Sequence, residues 1–304
     1  MKHVTLVTVN YNSEKETHDL LASLQKLQKV NFSFSVIVVD NASQTPFVLS
    51  GEEKRQGIVL ITTEKNLGFT GGYNLGIKKA LENGVDYVVI INNDTLVDPD
   101  FIEHFLQTFD STNHVGLVVP KIYFAKGHEF HKDRYKETEK GKVFWYAGGF
   151  MDWNNVFSRH RGVDEVDHGQ YDIPEAIDFA TGCCMCFPSD VLKKVGGFDD
   201  LLFLYFEDAD LSQRILRAGY KIMYQPKSII WHVNAASGGG SGSPLHDYYI
   251  TRNRMVFGMR YAPLRAKFAL IRESIRLLFA GRPWQKKGIQ DFYTRNLGKG
   301  SFGK

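Results

Sequence analysis

The segment from Tyr87 to Pro99 constrains the fold more than any other part of this chain. Tyr87 to Ile91 is a continuous apolar, mostly β-branched run, the pattern of a strand buried on both faces in the middle of a parallel sheet. It stops abruptly at Asn92-Asn93-Asp94. Polar, turn-prone residues directly after such a strand sit at its carboxyl end, the edge where open α/β sheets bind ligands. A carboxylate flanked by amides there could hold a hard divalent cation, because Mg²⁺ commonly takes one or two carboxylates together with phosphate oxygens. The plainer alternative is a strand-to-helix turn, with Asp98 capping a helix that begins at Pro99.

The preceding residues repeat the pattern. Residues 3–9 read as a strand ending in Asn10-Tyr11-Asn12-Ser13. A helix from Glu14 to about Leu27 follows, with Ser13 as N-cap and Glu16 completing a capping box. A strand over 34–39 ends in Asp40-Asn41-Ala42-Ser43, and another over 58–62 leads into the polar, glycine-rich stretch from Glu64 to Asn74. A helix from Asn74 to Asn83 then reaches the central strand. This alternation implies an α/β fold with a mostly parallel sheet. The polar ends at Asn10 and Tyr11, Asp40, Asn66 to Asn74 and Asn92 to Asp94 would then share one edge. Gly68, Gly71 and Gly72 open a helix, so their N–H groups could approach a diphosphate. They match neither a Walker loop nor G-x-G-x-x-G, and tight packing of helix on sheet also accounts for them.

The second half carries a second acidic cluster. A helix over 99–109, a strand over 115–119, a charged surface excursion over 125–142 and short β-like pieces within 144–187 lead to a turn at Gly196-Gly197-Phe198-Asp199-Asp200. Glu207-Asp208-Ala209-Asp210 then opens a helix that stops at Gly219. The helix dipole favours acids at that end, but three carboxylates in four residues exceed what a cap requires. Such a cluster can hold one carboxylate as a general base. Short strands at 222–224 and 229–231 end at His232, a metal ligand or a structural histidine.

Composition excludes several classes. At 43% hydrophobic and 23% charged residues the chain is that of a globular protein, and no apolar run approaches the ~18 residues of a membrane span. Residues 1–9 alternate like a strand and no small-residue cleavage site follows, so no signal peptide and a cytoplasmic location are expected. Cys183, Cys184 and Cys186 lie together in an apolar segment, lack zinc-site spacing and read as buried reduced thiols.

Residues 251–304 carry 13 Lys or Arg against two acids, whereas residues 1–250 carry 24 against 32. Within that basic tail Phe268, Ile271, Ile275, Leu278 and Phe279 repeat at helical spacing, interleaved with Arg265, Lys267, Arg272, Arg276 and Arg282. Either this helix packs on the body or on a second copy in a homodimer, or it makes peripheral contact with an anionic membrane. Nucleic acid is not expected, since no recognised module accompanies the charge. Gly298 to Lys304 is expected to fray.

Taken in order, Thr8-Val9-Asn10-Tyr11-Asn12, Val39-Asp40-Asn41-Ala42-Ser43, Asn66-Leu67-Gly68-Phe69, Asn92-Asn93-Asp94, Gly196-Gly197-Phe198-Asp199 and Glu207-Asp208-Ala209-Asp210-Leu211 resemble the motifs of family 2 glycosyltransferases. Asp178-Phe179-Ala180-Thr181-Gly182, His232 with Ser237, and Tyr248-Tyr249 with Arg252-Asn253 are similar to the bacterial rhamnosyltransferase-like branch. The resemblance implies a GT-A fold over residues 1–250, with a nucleotide-sugar half (1–124) and an acceptor half (125–250), followed by the basic extension. It implies an inverting, divalent-metal-dependent (Mg²⁺ or Mn²⁺) transfer of a sugar to a hydroxyl of a growing cell-surface polysaccharide or lipid-linked glycan. The implied donor is dTDP-rhamnose, with a UDP-hexose or UDP-hexosamine as the alternative.

The same resemblance assigns roles. Asp40 would bind the base or ribose, Tyr11 with Thr8 and Asn10 would flank the base, and Asn66 and Gly71 would contact the nucleotide-sugar. Asn92, Asn93 and Asp94 stand where the family's Asp-x-Asp metal motif does; with Asn first, Asp94 must supply the charge. His232 would be a further metal or diphosphate contact, and Asp208 the catalytic base, with Glu207 as runner-up. Two other classes compete: a sugar nucleotidyltransferase, whose G-x-G-x-R loop is here replaced by Asn10-Tyr11-Asn12, and a non-catalytic nucleotide-sugar or glycan-binding protein.

Overall fold

The computed structural model describes residues 1–28, 31–233, 240 and 242–303. In chain order the first half comprises β1 (Lys2–Asn10), α1 (Glu14–Leu24), β2 (Phe32–Asp40), α2 (Gly51–Arg55), β3 (Val59–Thr62), α3 (Gly68–Glu82), β4 (Tyr87–Ile91), β5 (Thr95–Val97), α4 (Phe101–Ser111) and β6 (Val115–Phe124). The second half comprises β7 (Phe144–Tyr146), β8 (Gly149–Asp152), β9 (Phe157–His160), β10 (Glu175–Ile177), β11 (Cys184–Pro188), α5 (Ser189–Val195), α6 (Glu207–Arg217), β12 (Lys221–His232), α7 (Pro244–Tyr261), α8 (Leu264–Ala280) and α9 (Pro283–Tyr293). Ser237 lies outside the described residues.

One large sheet runs β10-β12-β6-β11-β4-β1-β2-β3, with β5 paired to β12 and β7 to β6. The strands β3, β2, β1 and β4 are parallel, as the alternation requires. β11 then inserts antiparallel between β4 and β6, and β12 returns parallel to β6. Val88 to Ile91 are fully buried, so the central strand does form the middle of the core. Its polar end emerges beside those of β1 and β2, because β1 pairs with β2 through Asn10 and Asp40 and with β4 from Val4 to Val7.

Several local expectations are corrected. α3 begins at Gly68, six residues before the expected start, and absorbs the glycine-rich segment into its first turns. Gly76 sits where a Cβ would lie 2.2 Å from Val7 Cγ1, and one at Gly72 would lie 3.1 Å from Val9 Cγ1. Those two positions are therefore small so that α3 can lie against β1. Ser13 makes no cap bond; its hydroxyl turns back to the Tyr11 carbonyl, and the capping box forms instead at Ser50 and Glu53. Asp98 does not cap a helix at Pro99: its carboxylate accepts from the Asp100 N–H and α4 starts at Phe101. The two short strands over 222–231 are one strand, β12, whose register shifts between Gln225 and Ile229 around Pro226, which has no N–H for the ladder.

The 125–142 excursion is tied down from within. Glu129 is buried and accepts the N–H groups of Gly127 and Gly141. The chain end up to Gly303 is not frayed. Asp291 accepts from the Ser301 N–H and hydroxyl, and Phe302 packs against Tyr248, Tyr249 and Trp284. α7 runs continuously across residues 250 and 251, the expected boundary between domain and extension. Cys183, Cys184 and Cys186 are free and buried, as expected.

Candidate active site

Each amide after β4 has a distinct task. The Asn92 N–H donates to the Cys183 carbonyl (2.8 Å), and the Tyr73 hydroxyl, which donates to the Ile91 carbonyl (3.0 Å), lies 3.1 Å from Asn92 Oδ1. The Asn93 side chain turns away toward α1, donating to Thr17 Oγ1 (2.9 Å). Asp94 leads into β5, and because β5 pairs with the end of β12, His232 arrives opposite it: Nε2 lies 3.2 Å from Asp94 Oδ1. His232 is 6% exposed, its Nδ1 finds no partner among the described residues, and Trp145 packs edge-on against its ring. Trp145 also packs against His160, which burial pushes down to about 4 and so keeps neutral. No group of three or more His, Cys, Asp or Glu side chains forms a ready-made metal cage among the described residues. One carboxylate and one imidazole fit a cation that completes its shell with phosphate oxygens and water.

The second acidic cluster faces the same segment. Asp208 Oδ2 accepts from the Gly182 N–H (3.1 Å) and Oδ1 from the Ala209 N–H (2.8 Å). Gly182 adjoins Cys183, whose carbonyl holds Asn92, so Asp208 and the Asn92–Asp94 motif flank one short stretch of backbone. Burial pushes the Asp208 carboxyl up to about 6, against the pull of the two N–H groups. Glu207 is 5% exposed, its Oε2 has no partner among the described residues, and burial together with the charge of Asp208 raises its carboxyl well above the usual range. Asp210 is structural, accepting from Arg214 (2.8 Å), Arg260 (2.9 Å) and Tyr261 (2.8 Å).

A carboxyl whose ionisation the fold disfavours costs stability wherever the unfolded chain would ionise it. That cost is absent below the unfolded value near 4.5 and grows as pH rises toward the folded value. Glu207→Gln is therefore expected to raise Tm at pH 8, and to raise it less at pH 5; thermal melts at the two pH values check this.

The residues assigned to the nucleotide divide into two groups. Tyr11 is 44% exposed at the edge, and Gly71 and Asn66 are partly exposed there. Asn66 Oδ1 accepts from the Gly68 N–H (2.7 Å), and Asn41 anchors the same turn through the Leu67 N–H (2.9 Å) and the Gly68 carbonyl (3.0 Å). Thr8, Asn10 and Asp40 are each 1% exposed, and the structure does not bring their side chains to the surface. The Asp40 carboxylate accepts from Asn10 Nδ2 (2.9 Å), Ser43 Oγ (2.5 Å) and the Phe47 N–H (3.2 Å). Thr8 is enclosed by the sheet, and its hydroxyl has no partner among the described residues. These three brace the edge on which Tyr11 stands.

Sequence reasoning gave no role to Tyr73, Asn41, Gly182, Trp145 or Asn253. Gly182 and Asn253 stand in segments already noted as motifs, and Asn41 adjoins Asp40. Tyr73 and Trp145 carry no signal beyond being aromatic.

Residues 2–258 match the family model described as "Glycosyltransferase like family 2". The chain belongs to that family. Among relatives of this glycosyltransferase, the N-acetylglucosaminyl-diphospho-decaprenol L-rhamnosyltransferase of Mycobacterium tuberculosis is 24% identical over 243 residues, 77% of each chain. The low-salt glycan biosynthesis hexosyltransferase Agl10 of Haloferax volcanii is 23% identical, covering 72% of this chain and 63% of that one. Two solved structures share the fold. GalNAc-T7 with UDP, GalNAc and Mn²⁺ has a TM-score of 0.66 at 13% identity, over 96% of this chain and 55% of that one. The mannosyltransferase of Pyrobaculum calidifontis with GDP-Man and Mn²⁺ has a TM-score of 0.53 at 16% identity, over 99% and 76%. The sheet and its flanking helices are thus the GT-A architecture expected from the sequence.

Proposed function

We infer that this glycosyltransferase moves rhamnose from dTDP-rhamnose to a hydroxyl of a lipid-linked or cell-surface glycan, with inversion, and that it works with a divalent cation. The observation that carries the reading is the pairing of two unlike acidic sites across the Thr181–Cys183 backbone. On one side, Asp94 and His232 form an oxygen-and-nitrogen pair suited to a cation. On the other, Asp208 is a carboxylate poised near neutrality. Glycosyl transfer needs both: the leaving diphosphate must be neutralised, and the attacking hydroxyl must lose its proton to a positioned base. Asp94 and His232 would hold the cation, which supplies charge to the diphosphate when bound. Asp208 takes the acceptor proton, with the Gly182 and Ala209 N–H groups fixing its orientation. Rhamnose and the lipid-linked acceptor are supported by the name of the mycobacterial relative, and the cation and nucleotide by the contents of the two structural neighbours.

Calorimetric titration with dTDP, UDP and GDP, each with and without Mn²⁺, tests the reading. dTDP is expected to bind, to bind tighter with Mn²⁺, and to lose that gain in Asp94→Ala. A preference for UDP would replace rhamnose by a hexose or hexosamine. No nucleotide binding at all would overturn the reading, and diphosphate release from a nucleoside triphosphate and a sugar phosphate would make the protein a nucleotidyltransferase.

A further inference from the structure

α8 presents two apolar faces, and the body covers one of them. Ala266, Leu270 and Ser274 are buried; Leu270 meets Gly258 of α7, and the Ser274 hydroxyl lies 2.7 Å from the Tyr293 hydroxyl of α9. The expected stripe is corrected by one residue: Leu278 is half-buried, whereas Leu264 joins the outer face. Leu264, Phe268, Ile271, Ile275 and Phe279 fall within one narrow arc of the helix. They are 73%, 71%, 38%, 51% and 80% exposed. Two phenylalanines and three aliphatic side chains aligned on one solvent-facing helix surface are more than scattered surface apolar residues.

Arg265, Arg272 and Arg276 run directly along one flank of this stripe, all exposed, and none forms an ion pair among the described residues. Lys267 and the half-exposed Tyr293 border the other flank. A second protein surface would need acids facing those arginines, and α8 itself carries only Glu273, which is occupied by Arg254. Two copies of this face would set arginines against arginines. An anionic bilayer offers what the face lacks, apolar depth beneath the stripe and phosphates beside the arginines.

We propose that α8 is a peripheral membrane-binding helix, which lays Leu264, Phe268, Ile271, Ile275 and Phe279 into an anionic lipid surface with Arg265, Arg272 and Arg276 on the headgroups. Among the described residues no helix is long and apolar enough to cross a membrane, so contact through this helix is interfacial. The inference stands on the surface of α8 and not on the transfer reaction. α8 is joined through the Arg254–Glu273 ion pair to α7, the helix that also carries Asn253. The bilayer therefore holds the enzyme by an element one helix away from the loop in front of Asp208.

The test is flotation of the full chain with phosphatidylcholine vesicles, with and without about 30% phosphatidylglycerol. Binding to the anionic vesicles only is expected, weakening as salt rises. The triple Arg265→Gln, Arg272→Gln, Arg276→Gln should weaken it about fivefold per arginine, and Phe268→Ser with Phe279→Ser by about tenfold or more. All five side chains are exposed, so their replacement leaves the fold and nucleotide binding as readouts of integrity. Absence of vesicle binding in the wild type, or binding untouched by both variants, overturns the proposal. Concentration-dependent dimerisation that the Phe268 and Phe279 changes abolish, without vesicle binding, would also overturn it and assign the face to a second copy. Vesicle binding by a wild type that binds no nucleotide would sink the donor reading and leave this one standing.

Discussion

Asp208→Asn is expected to lower turnover by about 10²–10⁴-fold while leaving nucleotide affinity within a factor of a few. The substitution keeps the shape and removes only the ability to accept a proton. Asp208 meets the Gly182 and Ala209 N–H groups through separate oxygens, and an amide oxygen can retain one of the two bonds. The Asp94–His232 pair lies across the Thr181–Cys183 backbone and loses no partner. The effect should thus fall on kcat, and the check is steady-state transfer beside dTDP titration of the same variant. Turnover unchanged in Asp208→Asn would remove this carboxylate from the mechanism.

The acid limb of the pH profile identifies the base independently. A general base works in its deprotonated form, and Asp208 is pushed up to about 6 by burial. Activity should therefore fall tenfold per pH unit below about 6, where an ordinary aspartate would still be ionised. Glu207 is also raised, by its own burial and by the neighbouring charge of Asp208, and it is not the group assigned to the acceptor proton. Glu207→Gln should consequently keep the acid limb where it is. If the limb disappears in Glu207→Gln instead, the roles of the two acids are exchanged.

The sequence made legible whatever depends on local pattern. Tyr87 to Ile91 announced a buried strand, and the abrupt change to Asn92-Asn93-Asp94 placed an edge that the structure bears out. What it could not show were the features decided by contacts distant along the chain. Gly72 of α3 looks the same whether a phosphate or Val9 is its neighbour, and only the packed helix separates the two. Asp40 could be placed at a strand end, but its bonds to Asn10, Ser43 and the Phe47 N–H join residues that sequence alone does not bring together. The glycine-rich chain end reads as fraying because its anchors, Asp291 and Tyr248, precede it by ten and 53 residues. The acids 207–210 could be counted, but what sets them apart, the raised carboxyls of Glu207 and Asp208 against the paired Asp210, follows from burial and from Arg214, Arg260 and Tyr261.

Asn253→Ala should have the second large effect, without touching the reacting groups. The loop over 199–206 delivers Glu207 and Asp208 to the site, and Phe203, Tyr205 and Phe206 in it all have left-handed backbone, with φ of 65°, 67° and 69°. Each such non-glycine residue costs about 1–2 kcal/mol, so the loop does not hold this shape by itself. The fully buried Asn253 amide donates to the carbonyls of Leu202 (2.8 Å), Leu204 (2.8 Å) and Tyr205 (2.9 Å), and Arg252 adds a bond to Leu202 (3.1 Å). Alanine removes this donor from the Leu204 and Tyr205 carbonyls and leaves Leu202 to Arg252 and the Leu204 N–H, for a loss of about 2–4 kcal/mol in stability. Asn253→Asp keeps the size but turns carboxylate oxygens toward the carbonyls, and should be worse than alanine. As the loop relaxes, Asp208 gains water and its carboxyl moves down toward the ordinary range, so the acid limb should shift to lower pH as kcat falls. A clamp that merely stabilises the fold would lower Tm and leave the limb in place. The pH profile of Asn253→Ala, measured below its melting temperature, separates a residue that positions the base from one that only holds the protein together.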